Sequence, residues 1–121
     1  MRDQYLGGTP RKNSKTGRQV QARMKESGDL RVKNGVTQIR YTAPGATRGT
    51  WHDLDETVDM AHLVDAVTWW NSTGYKFGEK SKEVREWMLN PDNYVLQPQS
   101  INRSQGARIG KTYIAPPKSD V

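Results

Sequence analysis

The stretch Val58-Asp59-Met60-Ala61-His62-Leu63-Val64-Asp65-Ala66-Val67 puts a titratable ring inside an apolar run. One aspartate stands three residues before the histidine and another three after it. A buried hydrogen-bonding residue, a metal ligand and a general base all fit that setting. Read as one helix, the stretch would bring Asp59, His62 and Asp65 to one face as a metal site. Read as a junction, it is a strand up to Ala61, a base at His62 and a helix from Leu63 onward. The junction accounts for more of the pattern: Leu63, Ala66, Val67 and Trp70 then share a helical stripe, with which a ligating Asp65 would compete. Asp65 drops out of the chemistry on that division.

Outward from the junction, the remaining elements follow from local signals. Toward the C-terminus, Asn71-Ser72-Thr73-Gly74 ends the first helix, and "KSKEVREWMLNPD" predicts a second. Ser81 is its N-cap, Val84, Trp87 and Met88 form its stripe, and Asn90-Pro91 is its stop. "NYVLQPQ" (Asn93 to Gln99) predicts a short strand, and "SINRSQGARIG" a short helix capped by Ser100 and ended by Gly110. Trp69, Trp70 and Trp87 ride the apolar stripes and belong to the core. Toward the N-terminus, Gly7 to Gly17 is loop chemistry, followed by a helix over 16–27 that stops at Gly28. Asn34-Gly35 between β-branched residues predicts a hairpin. The order is α+β.

The chain has no cysteine, which removes disulfides, thiolate zinc sites and cysteine nucleophiles. No run is long and apolar enough to span a bilayer, and no membrane partner is expected. Residues 1–50 hold 11 Lys/Arg against 3 Asp/Glu, and residues 51–121 hold 8 against 10. The formal charge of +6 is therefore the sum of a basic arm at +8 and a remainder at −2, an asymmetry that points to a polyanion partner. Arg11, Lys12, Lys15 and Arg18 in that arm are either a solvated loop or phosphate contacts. The domain is read as a basic arm over 1–50, a core over 51–117 and a tail over 118–121, the arm being part of the same domain, and a monomer is expected.

His52 and His62 are the only histidines, ten residues apart across loop signals, so a helical His–His metal pair is absent. No Gly-x-Ser-x-Gly elbow and no phosphate-cradling glycine loop occurs. What remains is His62 three residues after Asp59, with Asn93 and Asn102 on either side of a strand-to-helix corner. Asparagine oxygen is a neutral, hard ligand suited to magnesium, which keeps most of its waters. A neutral histidine can take a proton from an attacking water. With a basic surface, these groups suffice for metal-assisted hydrolysis of a nucleic acid.

"DMAH" (Asp59 to His62) followed by "NYVLQPQSINRSQGA" (Asn93 to Ala107) resembles the ββα-metal nucleases, also called His-Me finger or HNH/endonuclease VII nucleases. The form is similar to that of the DNA/RNA non-specific endonucleases. "TPRKNSKTGRQVQARM" and "WWNSTGYKFGEKSKEVREWMLNPDNY" resemble one branch of that superfamily, nuclease toxin domains of bacterial polymorphic toxin systems named for a Gly-His-Glu signature. The resemblance to that branch covers most of residues 9–117. It implies a ββα-metal core with additional helices and a basic N-terminal arm. It also implies His62 as general base, Asn102 as holder of one Mg²⁺, and Asn93 and Asp59 as residues that position them, Asp59 either beside the metal or on it. Ala61 stands where the branch has glycine, and the signature glutamate falls on Glu83 or Glu86. Arg103, Arg108 and Lys111 directly follow the proposed ligand and are read as phosphate contacts. The resemblance further implies a toxin, most simply a DNase and alternatively an RNase, carried as the C-terminal part of a larger secreted protein. Such a toxin acts in the cytoplasm of a competitor cell and has a cognate immunity protein, expected to be acidic. The competing class is a nucleic-acid-binding module without turnover, in which "DMAH" is core.

Overall fold

A computed structural model describes residues 2–102 and Ala115. Its elements are α1 (Arg2–Tyr5), α2 (Lys15–Glu26), β1 (Leu30–Lys33), β2 (Val36–Tyr41), β3 (Thr50–Asp53), β4 (Val58–His62), α3 (Ala66–Ser72), α4 (Lys82–Leu89) and β5 (Tyr94–Pro98). Single 3-10 turns occupy Gly74–Lys76 and Pro91–Asn93, and residues 99–102 are helical. The chain is α+β.

Local chemistry explains most of these boundaries. The Ser14 hydroxyl caps α2 by accepting from the Gly17 N–H at 3.1 Å. At the other end Gly28 takes φ +84°, and the Asp29 N–H reaches back to the Met24 carbonyl at 2.7 Å, a left-handed helix ending. Asn34 and Gly35 both have positive φ, 53° and 79°, which gives the primed turn whose twist suits a two-residue hairpin. β1, β2 and β3 form one antiparallel sheet in that order. The third strand was not anticipated, because Thr50–Asp53 follows a glycine-rich loop and is only four residues long.

β4 and β5 form a separate antiparallel ribbon, with His62 opposite Tyr94, Asp59 opposite Gln97 and Val58 opposite Pro98. A two-stranded ribbon is marginal alone. Here it buries Val58, Met60, Tyr94 and Leu96 against Val20 and Met24 of α2 and against Leu30 and Ile39 of the three-stranded sheet. Residues on both sides of position 50 thus share one core. A second core gathers Tyr5, Leu6, Ala66, Trp70, Val84 and Met88, so α3 and α4 pack on the chain's N-terminal segment.

The helix after His62 begins later than its stripe suggests. α3 starts at Ala66, and Asp65 is its N-cap, its carboxylate accepting from the Thr68 N–H at 2.9 Å. Leu63 and Val64 are exposed, since a short acidic residue at the cap position satisfies a free helix N–H better than an extra apolar turn would. The one-helix alternative with Asp59, His62 and Asp65 as ligands is overturned by the same facts. Ser100, expected as a cap, lies inside the helical residues 99–102.

Gly17 shows how tightly the basic arm is seated. A Cβ there would lie 2.2 Å from the Lys12 carbonyl oxygen and 2.5 Å from that of Arg11. Gly17→Ala is therefore expected to destabilise the protein by about 1–3 kcal/mol through overpacking. The gain in helix propensity, about 1 kcal/mol, works the other way. A melting temperature equal to or above wild type would refute the close approach.

Candidate functional site

His62 is the last residue of β4, and its ring is held between two aromatics. It stacks on Trp87 of α4 at 5.6 Å and 15° and meets Tyr94 of β5 at 4.7 Å and 51°. Trp87 stacks in turn on Trp69 of α3 at 4.3 Å and 7°, so three rings form a ladder. Each such contact contributes about 0.5–1.5 kcal/mol beyond area burial, enough together to fix the imidazole's plane. The Nε2 atom is buried.

Asn93 supports this arrangement without touching the ring. Its side-chain N–H donates to the Trp87 carbonyl at 2.8 Å, and its own carbonyl accepts from the Leu63 N–H at 2.8 Å. The first bond sets the end of α4, which carries the ring beneath His62. The second closes the ribbon immediately after His62. Tyr94 is fully buried, and its hydroxyl donates to the Met88 carbonyl at 2.5 Å. Arg23 of α2 donates to the carbonyls of Pro91 and Tyr94 and anchors the entry to β5 from below.

Asp59 and Asn102 are brought together: the Asn102 amide nitrogen donates to the Asp59 carboxylate at 3.3 Å. That bond joins β4 to the helical residues that begin directly after β5. It uses the nitrogen of the amide, and amide and carboxylate oxygens are hard donors in kind. Among the described residues, no group of three or more His, Asp or Glu gathers as a metal cage. The donor set suits an ion that keeps most of its waters, as magnesium does, and not a site needing three or four protein ligands.

Strand alternation separates these two halves. Residues three apart on a strand point to opposite faces, and their Cα atoms are about 10 Å apart along it. Asp59 and Ala61 share one face of the ribbon, and Met60 and His62 the other.

Of the basic residues singled out, Arg11, Lys15 and Arg18 are exposed. Lys12 is half-buried and donates to the Val58 carbonyl at 3.2 Å, so it braces β4 rather than facing solvent. Arg103, Arg108 and Lys111 lie outside the described residues. Glu83 and Glu86 are both exposed on α4, Glu86 lying 3.9 Å from Lys82. Trp87, Tyr94 and Arg23 are the contributors that sequence reasoning missed. A stripe residue and a strand residue look like core, and only the register discloses that they frame His62.

At the far end of β4, the turn into the strand carries a perturbed carboxylate. The Thr57 hydroxyl donates to Asp55 at 2.5 Å and the Thr57 N–H at 2.8 Å. Chiefly through that hydroxyl, and then the amide, the Asp55 pKa is lowered, with His52 and Lys12 adding charge attraction. A depressed carboxyl contributes stability above its unfolded value of about 3.9, and that contribution is lost as pH falls through the folded pKa. Asp55→Asn is accordingly expected to melt below wild type at pH 6–7 and to converge with it in acid, once pH has fallen through the depressed folded value. A gap that persists in acid would assign the effect to packing and not to charge.

No family model, no curated protein and no solved structure matches this chain.

Proposed function

We propose that the chain is a metal-dependent nuclease with a ββα-metal core, formed by β4, β5 and the helix that begins at residue 99. The observation that carries this is the Asp59–Asn102 hydrogen bond. It joins a carboxylate and an amide 43 residues apart in sequence at one strand-to-helix corner. His62 takes the proton of the attacking water, its ring held by Trp87 and Tyr94. Asn93 positions that ring through Trp87 and through the closure at Leu63. Asn102 and Asp59 hold a hydrated divalent ion, which when bound supplies positive charge against the phosphodiester. Arg11, Lys15 and Arg18 offer exposed charge for backbone phosphates. The toxin setting, with delivery to a competitor and an acidic immunity protein as partner, rests on the sequence resemblance alone.

A nucleic-acid-binding module without turnover is the second reading. The placement of Asp59 and His62 on opposite faces of the ribbon favours it, because a base and an ion acting on one phosphate must converge. Incubation with duplex DNA, single-stranded DNA and total RNA, each with and without chelator, separates the two. Chelator-sensitive cleavage is expected, on DNA before RNA. Binding without turnover, indifferent to chelator, would establish the module.

A further inference from the structure

A hollow borders β5. A cleft of about 350 Å³ opens between β5 and the three-stranded sheet, lined among others by Asp29, Arg40, Tyr41, Val95, Gln97 and Ile101. Its size falls at the lower end of small-molecule clefts, roughly 300–1,000 Å³. Gln97 stands directly opposite Asp59 in the ribbon register, which puts their Cβ atoms about 5 Å apart. Gln97 of the cleft thus neighbours Asp59, and Ile101 of the cleft directly precedes Asn102.

Two features of its wall call for a ligand. The Gln97 side-chain oxygen is buried and has no hydrogen-bond donor among the described residues, a condition native structures rarely leave uncompensated. Arg40 is also built into place. Its Nε and Nη2 both donate to one Asp29 carboxylate oxygen, at 3.1 and 2.9 Å. Its stem lies where a Cβ on Gly49 would come within 2.7 Å of it. A guanidinium has five N–H groups, so the pair with Asp29 aligns Arg40 without exhausting it. Tyr41 adds an aromatic wall. A buried acceptor, a fixed guanidinium and an aromatic ring are the groups that recognise a base, a phosphate and a stacked surface.

We propose that this cleft receives one unpaired nucleotide of the substrate strand, next to the phosphodiester that is cut. The Gln97 oxygen accepts from an N–H of the base and Arg40 holds the adjoining phosphate. This rests on the nuclease reading for its place in the reaction but not for its binding chemistry. A paired base cannot enter without leaving its stack, so the substrate class becomes single-stranded or looped nucleic acid in preference to uninterrupted duplex.

The test is a titration of the full chain with the nucleoside 5′-monophosphates and with inorganic phosphate, for wild type, Gln97→Met and Arg40→Met. Wild type is expected to bind at least one monophosphate more tightly than phosphate. Gln97→Met should weaken that monophosphate at least fivefold, leave phosphate unchanged and melt no lower than wild type, because the replaced oxygen has no partner among the described residues. Arg40→Met should weaken both ligands. Monophosphate binding no tighter than phosphate, or equal for wild type and Gln97→Met, overturns the proposal. The absence of chelator-sensitive cleavage on every nucleic acid would instead overturn the nuclease reading, and these binding constants would not move.

Discussion

His62→Ala is expected to reduce phosphodiester cleavage by about 10²- to 10⁴-fold, the usual contribution of a positioned general base, with the fold retained. Loss of the contacts with Trp87 and Tyr94 removes about 1–3 kcal/mol, too little to unfold a domain stable by about 5–15 kcal/mol. Asn102→Ala is expected to cost a similar factor by removing the partner of Asp59. The informative variant is the double substitution. Residues that act as one unit are grossly non-additive, so the double variant should be little worse than either single one. Multiplying losses would mean that the two faces of the ribbon act independently, and full activity in His62→Ala would remove it from the chemistry.

The second large effect is structural. Arg23→Met is expected to destabilise the protein by roughly 3 kcal/mol, since each hydrogen bond from a charged donor contributes about 1.5–3 kcal/mol and two are lost. Methionine keeps an apolar stem against the core, so the loss isolates the guanidinium. Its partners are the carbonyls of Pro91, in the turn before β5, and of Tyr94, the first residue of β5. The melting temperature should fall by about 10 °C, followed by circular dichroism. A change within the ±0.5 kcal/mol typical of surface substitutions would show that Asn93 and Tyr94 are held by other means. Arg23→Lys should recover part of the loss, because an ammonium cannot span two carbonyls as a planar fork does.

Much of this architecture is legible in the chain itself. Gly28 marks the end of α2, Asn34-Gly35 fixes the hairpin, and Ser81 and Asn90-Pro91 bracket α4, because caps and turns depend on a few neighbouring residues. The strand ending at His62 and the strand starting after Asn93 are legible for the same reason. Their pairing register is not, since it is decided by which side chains reach the core from distant segments. The start of α3 was misplaced because Leu63 and Val64 continue an apolar pattern that the Asp65 cap interrupts. β3 was missed because a four-residue strand beside a glycine-rich loop carries little periodicity. At the site, Asp59, His62, Asn93 and Asn102 are chemically conspicuous. Trp87 and Tyr94, which frame the imidazole, look like any other core aromatics until the ribbon is assembled.

The ribbon's connectivity also sets an order of events. Residues 63–93 separate its strands, and closing so long a loop costs entropy before any pairing repays it. That segment contributes Ala66, Trp70, Val84 and Met88 to a core of its own with Tyr5 and Leu6, so it can condense first and draw Leu63 and Asn93 to bonding distance. Pairing of the strands is then expected to run from the His62 end toward Pro98, with the Asp59–Asn102 corner formed last. A folding chain of this topology acquires its helices early and its reactive groups late.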